Sequence, residues 1–370
     1  MRAGMGMRMR KLPAAGGGGL ILLLVLALAL LPYLPIFHPQ RGDPWITAFI
    51  LANYLAVFAM SWDILSGYTG QISFGQAFFI GAAGYTGGLA NVGWGWPLFL
   101  SIPLGIFVAV LLGLLVGLPT LRLRGAYLAL VTLFLPILGM KLVSIERFAG
   151  ITGGGLGRAG LTPLAAVALR DFNGNGRIDR ADILLRYAKV QRIDYYYSLG
   201  LMVLVACLLL WLARSKVGKV FEAIREDEEA VEAAGINTAK YKILAFLISS
   251  GVAGLGGAFY AHYWQSLVPS EMLSLDLSLK VIIAAVFGGM GTILGPILGA
   301  YSLILGKELL LQVLPFSVSG SLPAGWTSTI FLALLLLVLR FARRGVLPMA
   351  FTPFGSRRRR GQGGRPSLRP

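Results

Sequence analysis

A polar stretch of twelve residues, DFNGNGRIDRAD (171–182), could hold a metal ion in a chain that is otherwise mostly apolar. In twelve-residue calcium-binding loops, oxygen ligands stand at positions 1, 3, 5, 7, 9 and 12, and a glycine at position 6 makes the sharp turn. Gly176 occupies position 6 here, and Ile178 at position 8 supplies an apolar residue that can turn inward. The pattern predicts calcium ligands at Asp171, Asn173, Asn175, Arg177 (through its backbone carbonyl), Asp179 and Asp182.

Two features of this loop limit what its calcium ion could do. Position 12 is Asp182, which is shorter than the bidentate Glu of sensor loops and changes the affinity or the geometry. The loop also stands alone, without a paired second loop. We therefore expect a structural calcium ion rather than a signalling switch. Its Asn-Gly pairs also favour a plain turn without any metal, which stays open as the alternative.

The rest of the sequence indicates an all-α polytopic membrane protein. Of 370 residues, 56% are hydrophobic and only 13% are charged, whereas soluble domains have about 25% charged residues. Apolar runs of about 18 or more residues are typical of transmembrane helices. We expect about ten spans, near 19–37, 46–66, 71–92, 97–119, 125–146, 196–213, 242–263, 276–291, 293–313 and 325–342.

Basic residues beside the spans and in both tails produce the net charge of +17. Short flanks rich in Lys and Arg stay on the cytoplasmic side of a membrane, where they contact anionic lipid headgroups. We therefore expect membrane lipid rather than nucleic acid as their partner, and cytoplasmic N- and C-termini. The predicted segments are a basic N-terminal segment (1–18), a transmembrane domain (19–342) with an extracytoplasmic loop (147–195) and a cytoplasmic segment (214–241), and an Arg-rich disordered tail (343–370).

Glycine-rich interruptions occur at 67–88 and 287–300, in opposite halves of the chain. Gly-interrupted spans at corresponding places indicate a transport site in several transporter folds. The same residues also favour tight helix packing, and the two interpretations are compatible. Because the first interruption offers neutral hydrogen-bonding groups, the residues expected on a substrate pathway are Gly70, Gln71, Ser73, Gly75 and Gln76.

The cytoplasmic segment 214–241 is dense in charges of both signs. Val217 to Ala234 have helical composition, Gly235 then breaks the helix, and Asn237 can cap the next one. The sequence EAIREDEEAVEAAGINTAKYKILAF resembles the coupling segment of ATP-binding-cassette (ABC) importer permeases of the branched-chain amino-acid (LivM-type) family. GYTGQISFGQAFFIGAAGY and ITGGGLG are similar to further stretches of that family. The resemblance assigns ATPase coupling to Ala223, Arg225, Glu226, Ala230, Ala233, Gly235, Ile236 and Asn237.

This resemblance implies a permease subunit in a bacterial or archaeal inner membrane, not an enzyme. Its implied partners are a second permease subunit of the LivH type, two ATPase subunits, and a periplasmic or lipid-anchored solute-binding protein. The sequence lacks the G-x-x-x-x-G-K-[ST] phosphate loop, so ATP is expected to bind the partner subunits only, and no cofactor for transport is expected in this chain.

The implied substrates are leucine, isoleucine and valine or similar hydrophobic amino acids. Urea or short amides are the alternative within the same family. A calcium-responsive membrane receptor and an ion-coupled secondary carrier are the alternatives from other classes. The receptor needs a folded signalling domain that the sequence does not provide, and the carrier would more typically place a carboxylate near the bilayer midplane.

Replacing Asp171 with Ala tests the calcium loop because it removes the ligand at position 1. We expect added calcium to raise the thermal unfolding midpoint of the purified wild-type protein and to leave that of Asp171→Ala unchanged. Magnesium, which demands octahedral geometry, is the control ion. Equal calcium-dependent shifts in both proteins would contradict the metal assignment.

Overall fold

The computed structural model describes residues 25–33, 44–121, 126–168 and 180–313. These residues form helices joined by turns and one two-stranded antiparallel sheet. The helices are α1 (25–30), α2 (Pro44–Trp62), α3 (Gln76–Trp94), α4 (Leu98–Thr120), α5 (Ala126–Val143), α6 (Ala149–Thr152), α7 (Arg180–Arg214), α8 (Lys216–Glu226), α9 (Glu228–Ala233), α10 (Thr238–Trp264), α11 (Pro269–Met272), α12 (Leu275–Gly288) and α13 (Leu294–Val313). The strands are β1 (Arg158–Ala159) and β2 (Ser266–Leu267). Helix α2 continues as a π-helical turn, Asp63–Gly67.

Four helical stretches among the described residues are long and apolar enough to cross a membrane: Pro44–Gly67, Leu98–Thr120, Asp182–Arg214 and Thr238–Trp264. A fifth candidate is a pair, Tyr127–Val143 and Glu146–Thr152, bent by 59°. The predicted all-helical membrane class therefore agrees with the structure. The predicted total of ten spans is not confirmed, because 325–342 lies outside the described residues, 19–37 lies mostly outside them, and the helices in 71–92, 276–291 and 293–313 are not among these candidates.

In both glycine-rich regions the helix is shorter than the predicted span. Helix α12 has 14 residues, which gives it a length of about 21 Å, against an apolar bilayer core of about 30 Å. Helix α3 starts only at Gln76, after a non-helical stretch. Both regions were predicted as interrupted spans, and in both the interruption shortens the helix.

Helix α7 is longer than the predicted span 196–213 and begins at Arg180. Its first half is amphipathic, with Ala188, Gln191, Tyr195 and Ser198 buried at intervals of three or four residues. A hydropathy window detects only the continuously apolar half of such a helix. The helical spacing of the buried residues extends into the amphipathic half as well. The last part of the predicted extracytoplasmic loop is therefore helical.

Helix α2 lies at the centre of the bundle, packed against α7, α10, α12 and α13. Every residue from Ala52 to Thr69 is buried. Polar contacts also join it to its neighbours, because Asn53 Nδ2 donates to Ser198 Oγ on α7 (3.0 Å) and Tyr301 Oη on α13 donates to Asn53 Oδ1. A helix that is apolar all round is expected to be buried on all sides. Helix α2 is buried in this way from Ala52 to its end.

Helices α3, α4 and α10 approach one another through small residues. A Cβ atom on Gly105 would lie 2.4 Å from the carbonyl oxygen of Ala83, and one on Gly257 would lie 2.2 Å from the carbonyl oxygen of Ile80. Contacts between backbones this close leave no room for a larger residue, as is common at membrane helix interfaces. The glycine-rich segments therefore serve close packing at these positions.

The turns between helices gather at two opposite ends of the bundle. At the first, which we name the Arg225 end, Arg225 of α8 reaches the turn after α2. At the second, which we name the β end, β1 pairs with β2 and Tyr85 Oη donates to the Leu267 carbonyl oxygen (3.1 Å). Helix α10 connects the two ends and has 27 residues, which corresponds to about 40 Å. This arrangement of turns is the one that alternating membrane spans require.

Candidate functional site

Residues 70–75 form a non-helical stretch between α2 and α3, and side chains bond to its backbone. Trp62 Nε1 donates to the Ser73 carbonyl oxygen (2.6 Å). The Phe74 amide donates to Thr132 Oγ1 of α5 (3.0 Å). At membrane depth, non-helical backbone is tolerated only where protein groups or a water-filled cavity satisfy it. We name this stretch the first break.

The residues predicted on the substrate pathway fall into two groups along the first break. Gly70 and Gln71 line a cavity of about 210 Å³ at the Arg225 end. Gly70 has φ +75°, a conformation that favours glycine. Ser73, Gly75 and Gln76 are buried between helices. The structure therefore places the first two beside open space and the other three inside the packed bundle.

Gln76 joins three helices through hydroxyl groups. Its Nε2 donates to Ser61 Oγ of α2 (2.6 Å) and to Ser249 Oγ of α10 (3.2 Å), while Ser249 Oγ donates to the Ser61 carbonyl oxygen (2.6 Å). The Ala77 amide donates to Ser278 Oγ of α12 (3.1 Å). We name these four polar side chains, Ser61, Gln76, Ser249 and Ser278, the polar seam. Three of them were missed from the sequence, since isolated serines in apolar helices carry little signal.

The second break lies between α12 and α13 and is bound to the end of α2. Gly291, with φ +75°, donates its amide to Asp63 Oδ1 (2.7 Å). Asp63 is fully buried in the π-helical turn. A Cβ atom on Gly67 would lie only 2.0 Å from Asp63 Oδ1, so a glycine is required there. The Asp63 carboxylate thus contacts both glycine-rich regions, the first at Gly67 and the second at Gly291.

The segment 214–241 folds as two short helices held by caps. Gly235 has φ +84°, and Asn237 Oδ1 accepts the Lys240 amide (3.1 Å). The predicted helix break and the predicted cap are therefore confirmed. The predicted single helix from Val217 to Ala234 is wrong in one respect. Asp227 adopts extended geometry (φ −157°) and caps α9, so the helix divides there.

The residues that the resemblance assigns to ATPase coupling lie on the outer surface of this segment. Phe221, Ile224 and Val231 are buried beneath it and hold it on the bundle. The exposed members are Arg225, Glu226, Ala230, Ala233, Gly235 and Asn237, and the half-buried members are Ala223 and Ile236. The surface is therefore available to a partner subunit.

Arg225 contacts the π-helical turn and both breaks from this segment, and a Cβ atom on Gly70 of the first break would lie 3.4 Å from its Cγ atom. Its Nη1 donates to the Gly67 carbonyl oxygen. A Cβ atom on Gly291 would lie 2.5 Å from the same Nη1. We name Asp63, Gly67, Arg225 and Gly291 the Arg225 junction. Only the resemblance pointed to Arg225; its contacts across 158 residues could not be predicted from the sequence.

A second set of contacts binds α9 to the start of α10. Lys242 Nζ forms an ion pair with Glu228. Thr238 Oγ1 donates to Glu232 Oε1 (2.6 Å). Lys242 is almost fully buried, at 9% exposure. Helix α9 is therefore joined to α10 by polar contacts, whereas α8 contacts the breaks through Arg225 and α10 through the Phe221 and Tyr241 rings, whose centroids are 6.4 Å apart.

The predicted calcium ligands Asp171, Asn173, Asn175, Arg177 and Asp179 lie outside the described residues. Asp182, the sixth, lies in the first turn of α7 and is buried. Among the residues that the structure does describe, no group of three or more His, Cys, Asp or Glu side chains could hold a metal ion. The calcium loop therefore stays a prediction.

Comparison with known proteins identifies relatives over most of the chain. A family profile described as the permease component of branched-chain amino acid transport systems matches residues 45–339. The high-affinity branched-chain amino acid transport system permease protein LivM of Escherichia coli strain K12 is 30% identical over 301 residues, 79% of this chain and 67% of that protein. No solved structure matches.

Other relatives share shorter regions. The autoinducer 2 import system permease protein LsrC of Salmonella typhi is 32% identical over 155 residues, 40% of this chain and 42% of that protein. A probable branched-chain amino acid transport permease protein LivM of Methanocaldococcus jannaschii is 25% identical over 142 residues, 37% of this chain and 41% of that protein. The matched proteins are transport permeases, which agrees with a chain that is not an enzyme.

Two substitutions of Asp63 test the hydrogen bond between its carboxylate, in the π-helical turn, and the Gly291 amide of the second break. Asp63→Asn keeps an oxygen acceptor for the Gly291 amide, whereas Asp63→Leu has a similar branched shape and no acceptor. We expect the Asn variant to unfold near the wild-type temperature and the Leu variant to lose about 1 to 3 kcal/mol of stability. The measurement is thermal unfolding of the detergent-solubilised protein. Equal midpoints for the two variants would contradict a role for this bond.

Proposed function

The chain belongs to the permease family of branched-chain amino acid ABC transporters, and we propose that it translocates leucine, isoleucine, valine or similar hydrophobic amino acids into the cytoplasm. It does so as one transmembrane subunit of an importer, driven by ATP hydrolysis in partner subunits. The observation that carries this proposal is the Arg225 junction, where a surface segment suited to a partner contacts both breaks.

The junction supports a direct mechanical route from the ATPase subunits to the pathway. A single residue, Ser215, separates α8 from the end of α7, and α9 leads into α10 at Thr238. Both ends of the segment are therefore fixed to long helices. Closure of the ATPases moves this segment, and Arg225 moves Gly67 and Gly291 with it. The pathway then alternates between outward-open and inward-open states, whose populations the nucleotide shifts.

The breaks supply groups suited to a neutral zwitterion. Gln71 at the cavity and the polar seam deeper in the bundle offer amide and hydroxyl groups. Neutral groups of this kind can replace the water around an amino acid. Arg225 and the Glu228–Lys242 ion pair also line the cavity, so charged groups stand beside the neutral ones. We propose that the seam separates during transport and that Gly70, Gln71, Ser73, Gly75 and Gln76 then line the pathway.

The partners follow from the same assignment. The proposed importer contains a second permease subunit, two ATPase subunits and a solute-binding protein. An ATPase subunit contacts the exposed coupling residues of this chain, and the solute-binding protein contacts the β end. The Arg225 end then faces the cytoplasm, in agreement with the predicted orientation. Large apolar side chains on α4 and α5, such as Phe107, Leu115 and Phe134, are more than half exposed and are proposed to contact lipid or the second permease subunit.

Gly235→Val tests the coupling segment. The valine side chain would meet open space, so the substitution acts through backbone strain at φ +84°, about 1 to 3 kcal/mol for a β-branched residue. We expect the reconstituted complex to hydrolyse ATP while solute uptake falls severalfold. The measurement is ATP hydrolysis and radiolabelled leucine uptake in the same proteoliposomes.

Gly235→Asn is the matched control, because asparagine tolerates this backbone conformation. We expect it to retain coupled uptake. Full coupling in Gly235→Val would remove the coupling assignment, and loss of folded protein in Gly235→Val alone would show that the glycine is needed for stability only.

Solute choice is tested with the partner binding protein and the assembled importer. We expect the binding protein to bind leucine, isoleucine or valine, and the importer to move the same solutes. Urea, acetamide and an autoinducer 2 preparation are the comparison solutes. Failure to bind any of the three amino acids would overturn the substrate assignment, and binding of a comparison solute instead would replace it.

A further inference from the structure

An acidic side chain that the proposed coupling route does not use lies buried within a candidate membrane span. Asp194 of α7 is 7% exposed, and its Oδ1 atom has no hydrogen-bond partner. Across the described residues it forms no ion pair. Buried polar atoms almost always have partners, and ionisable residues inside membrane spans usually mark a functional position. The sequence interpretation missed Asp194 because it placed residue 194 in the extracytoplasmic loop.

A second buried atom without a partner lies nearby. Tyr54 of α2 is 1% exposed, and its hydroxyl oxygen has no hydrogen-bond partner. Tyr54 follows Asn53, whose side chain donates to Ser198 Oγ on α7, and Asp194 lies one helical turn before Ser198 on the same face of α7. A buried tyrosine hydroxyl usually finds a partner. Two unsatisfied atoms of this kind in one place indicate that a polar group belongs between them.

Aromatic rings surround this place. The Tyr54 ring packs against the rings of Tyr260 (5.3 Å between centroids) and Tyr263 (5.6 Å), both on α10. We name Tyr54, Asp194, Tyr260 and Tyr263 the Asp194 cluster. It combines a carboxylate, hydroxyl oxygens and the faces of aromatic rings. These are the groups that bind an ammonium cation, by charge-assisted hydrogen bonds and by cation–π attraction.

A cavity of about 330 Å³ adjoins the cluster at the β end. Tyr260 lines this cavity and its ring also packs against the Tyr54 ring, so this side chain stands next to both. Trp264, Val268 and Met272 of the lining suit an apolar side chain, and Glu271 and Ser266 are its polar members. The volume is at the small end of ligand sites and is appropriate for a single amino acid.

The depth of the cluster fits a site on a transport route. Tyr54 stands ten residues after Pro44, the first residue of α2, which is about 15 Å along the helix. Asp194 stands 20 residues before Arg214, the last residue of α7, which is about 30 Å. An apolar bilayer core is about 30 Å thick, so the cluster lies in its β-end half and on the β-end side of the Arg225 junction. A solute entering at the β end would meet the cluster before it meets the junction.

We propose that the Asp194 cluster is a binding site for the ammonium group of the transported amino acid, entered from the cavity when the Tyr260 ring moves aside. This inference rests on the proposed function and adds a named site for its substrate class. Asp194 accepts hydrogen bonds from the ammonium group, the Tyr54 hydroxyl oxygen accepts another, and the ring faces of Tyr260 and Tyr263 cover the remaining charge.

The test compares Asp194→Asn and Tyr54→Phe with Asp276→Asn in the complete importer. Asp276 is an exposed acid paired with Lys280 at 2.6 Å, so its variant controls for the loss of one negative charge. We expect Asp194→Asn to raise the KM for leucine uptake about tenfold or more and Tyr54→Phe to raise it severalfold, as the loss of hydrogen bonds to a charged group predicts. Asp276→Asn should behave as wild type.

A competition experiment distinguishes recognition from a merely structural role. Radiolabelled leucine is bound to the solubilised complex without the solute-binding protein. Isopentylamine, which lacks the carboxylate of leucine, should compete for the wild-type site, and isocaproate, which lacks the ammonium group, should not. Asp194→Asn should lose this preference for the amine, while Asp276→Asn should keep it and hydrolyse ATP at the wild-type basal rate.

The outcomes separate the two proposals. Wild-type import of leucine together with unchanged KM and unchanged competition in Asp194→Asn overturns the Asp194 site alone. Wild-type failure to import any branched-chain amino acid overturns the proposed function and this site with it. If Asp194→Asn does not fold, Tyr54→Phe, which removes only a hydroxyl group, decides the question by the same competition.

Discussion

The structure depends on one constraint, that backbone leaving a helix inside an apolar bundle must find hydrogen-bond partners within the protein. The first break meets it with Trp62 and Thr132, whose side chains bond the backbone of Ser73 and Phe74. The second break meets it with Asp63, which accepts the Gly291 amide. Because these partners come from α2 and α5, the breaks fix how the helices are arranged around the centre of the bundle.

That arrangement brings function and packing to the same residues. Helix α2 is buried on all sides, yet its last turns carry Ser61, Trp62 and Asp63, which bind α3, α10 and both breaks. A transporter must change shape where its backbone is least regular, and here that place is bonded to the surface segment through Arg225. The central helix is therefore the element to which both breaks are bonded.

Local features of this chain were predictable from the sequence, and contacts between distant segments were not. The glycine at 235 and the cap at Asn237 follow from residue types within a few positions, and both were predicted correctly. The division at Asp227 was missed because an acidic residue within a charged helix gives no sign of extended geometry. The Arg225 junction and the polar seam join residues separated by more than 150 positions, and their partners become visible only when the helices are packed. Asp194 was missed for another reason, since hydropathy recognised only the apolar half of α7.

Segment 214–241 is divided into α8 and α9, and each of these short helices has its own polar attachment to the bundle. Helix α8 carries Arg225 to the breaks, while α9 is joined to α10 by the Glu228–Lys242 ion pair and the Thr238–Glu232 hydrogen bond. Helix α8 also packs on α10 through the Phe221 and Tyr241 rings. In the proposed importer, a displacement of segment 214–241 would therefore reach α10 even without the Glu228–Lys242 ion pair, so this connection is redundant, whereas the connection to the second break rests on Arg225.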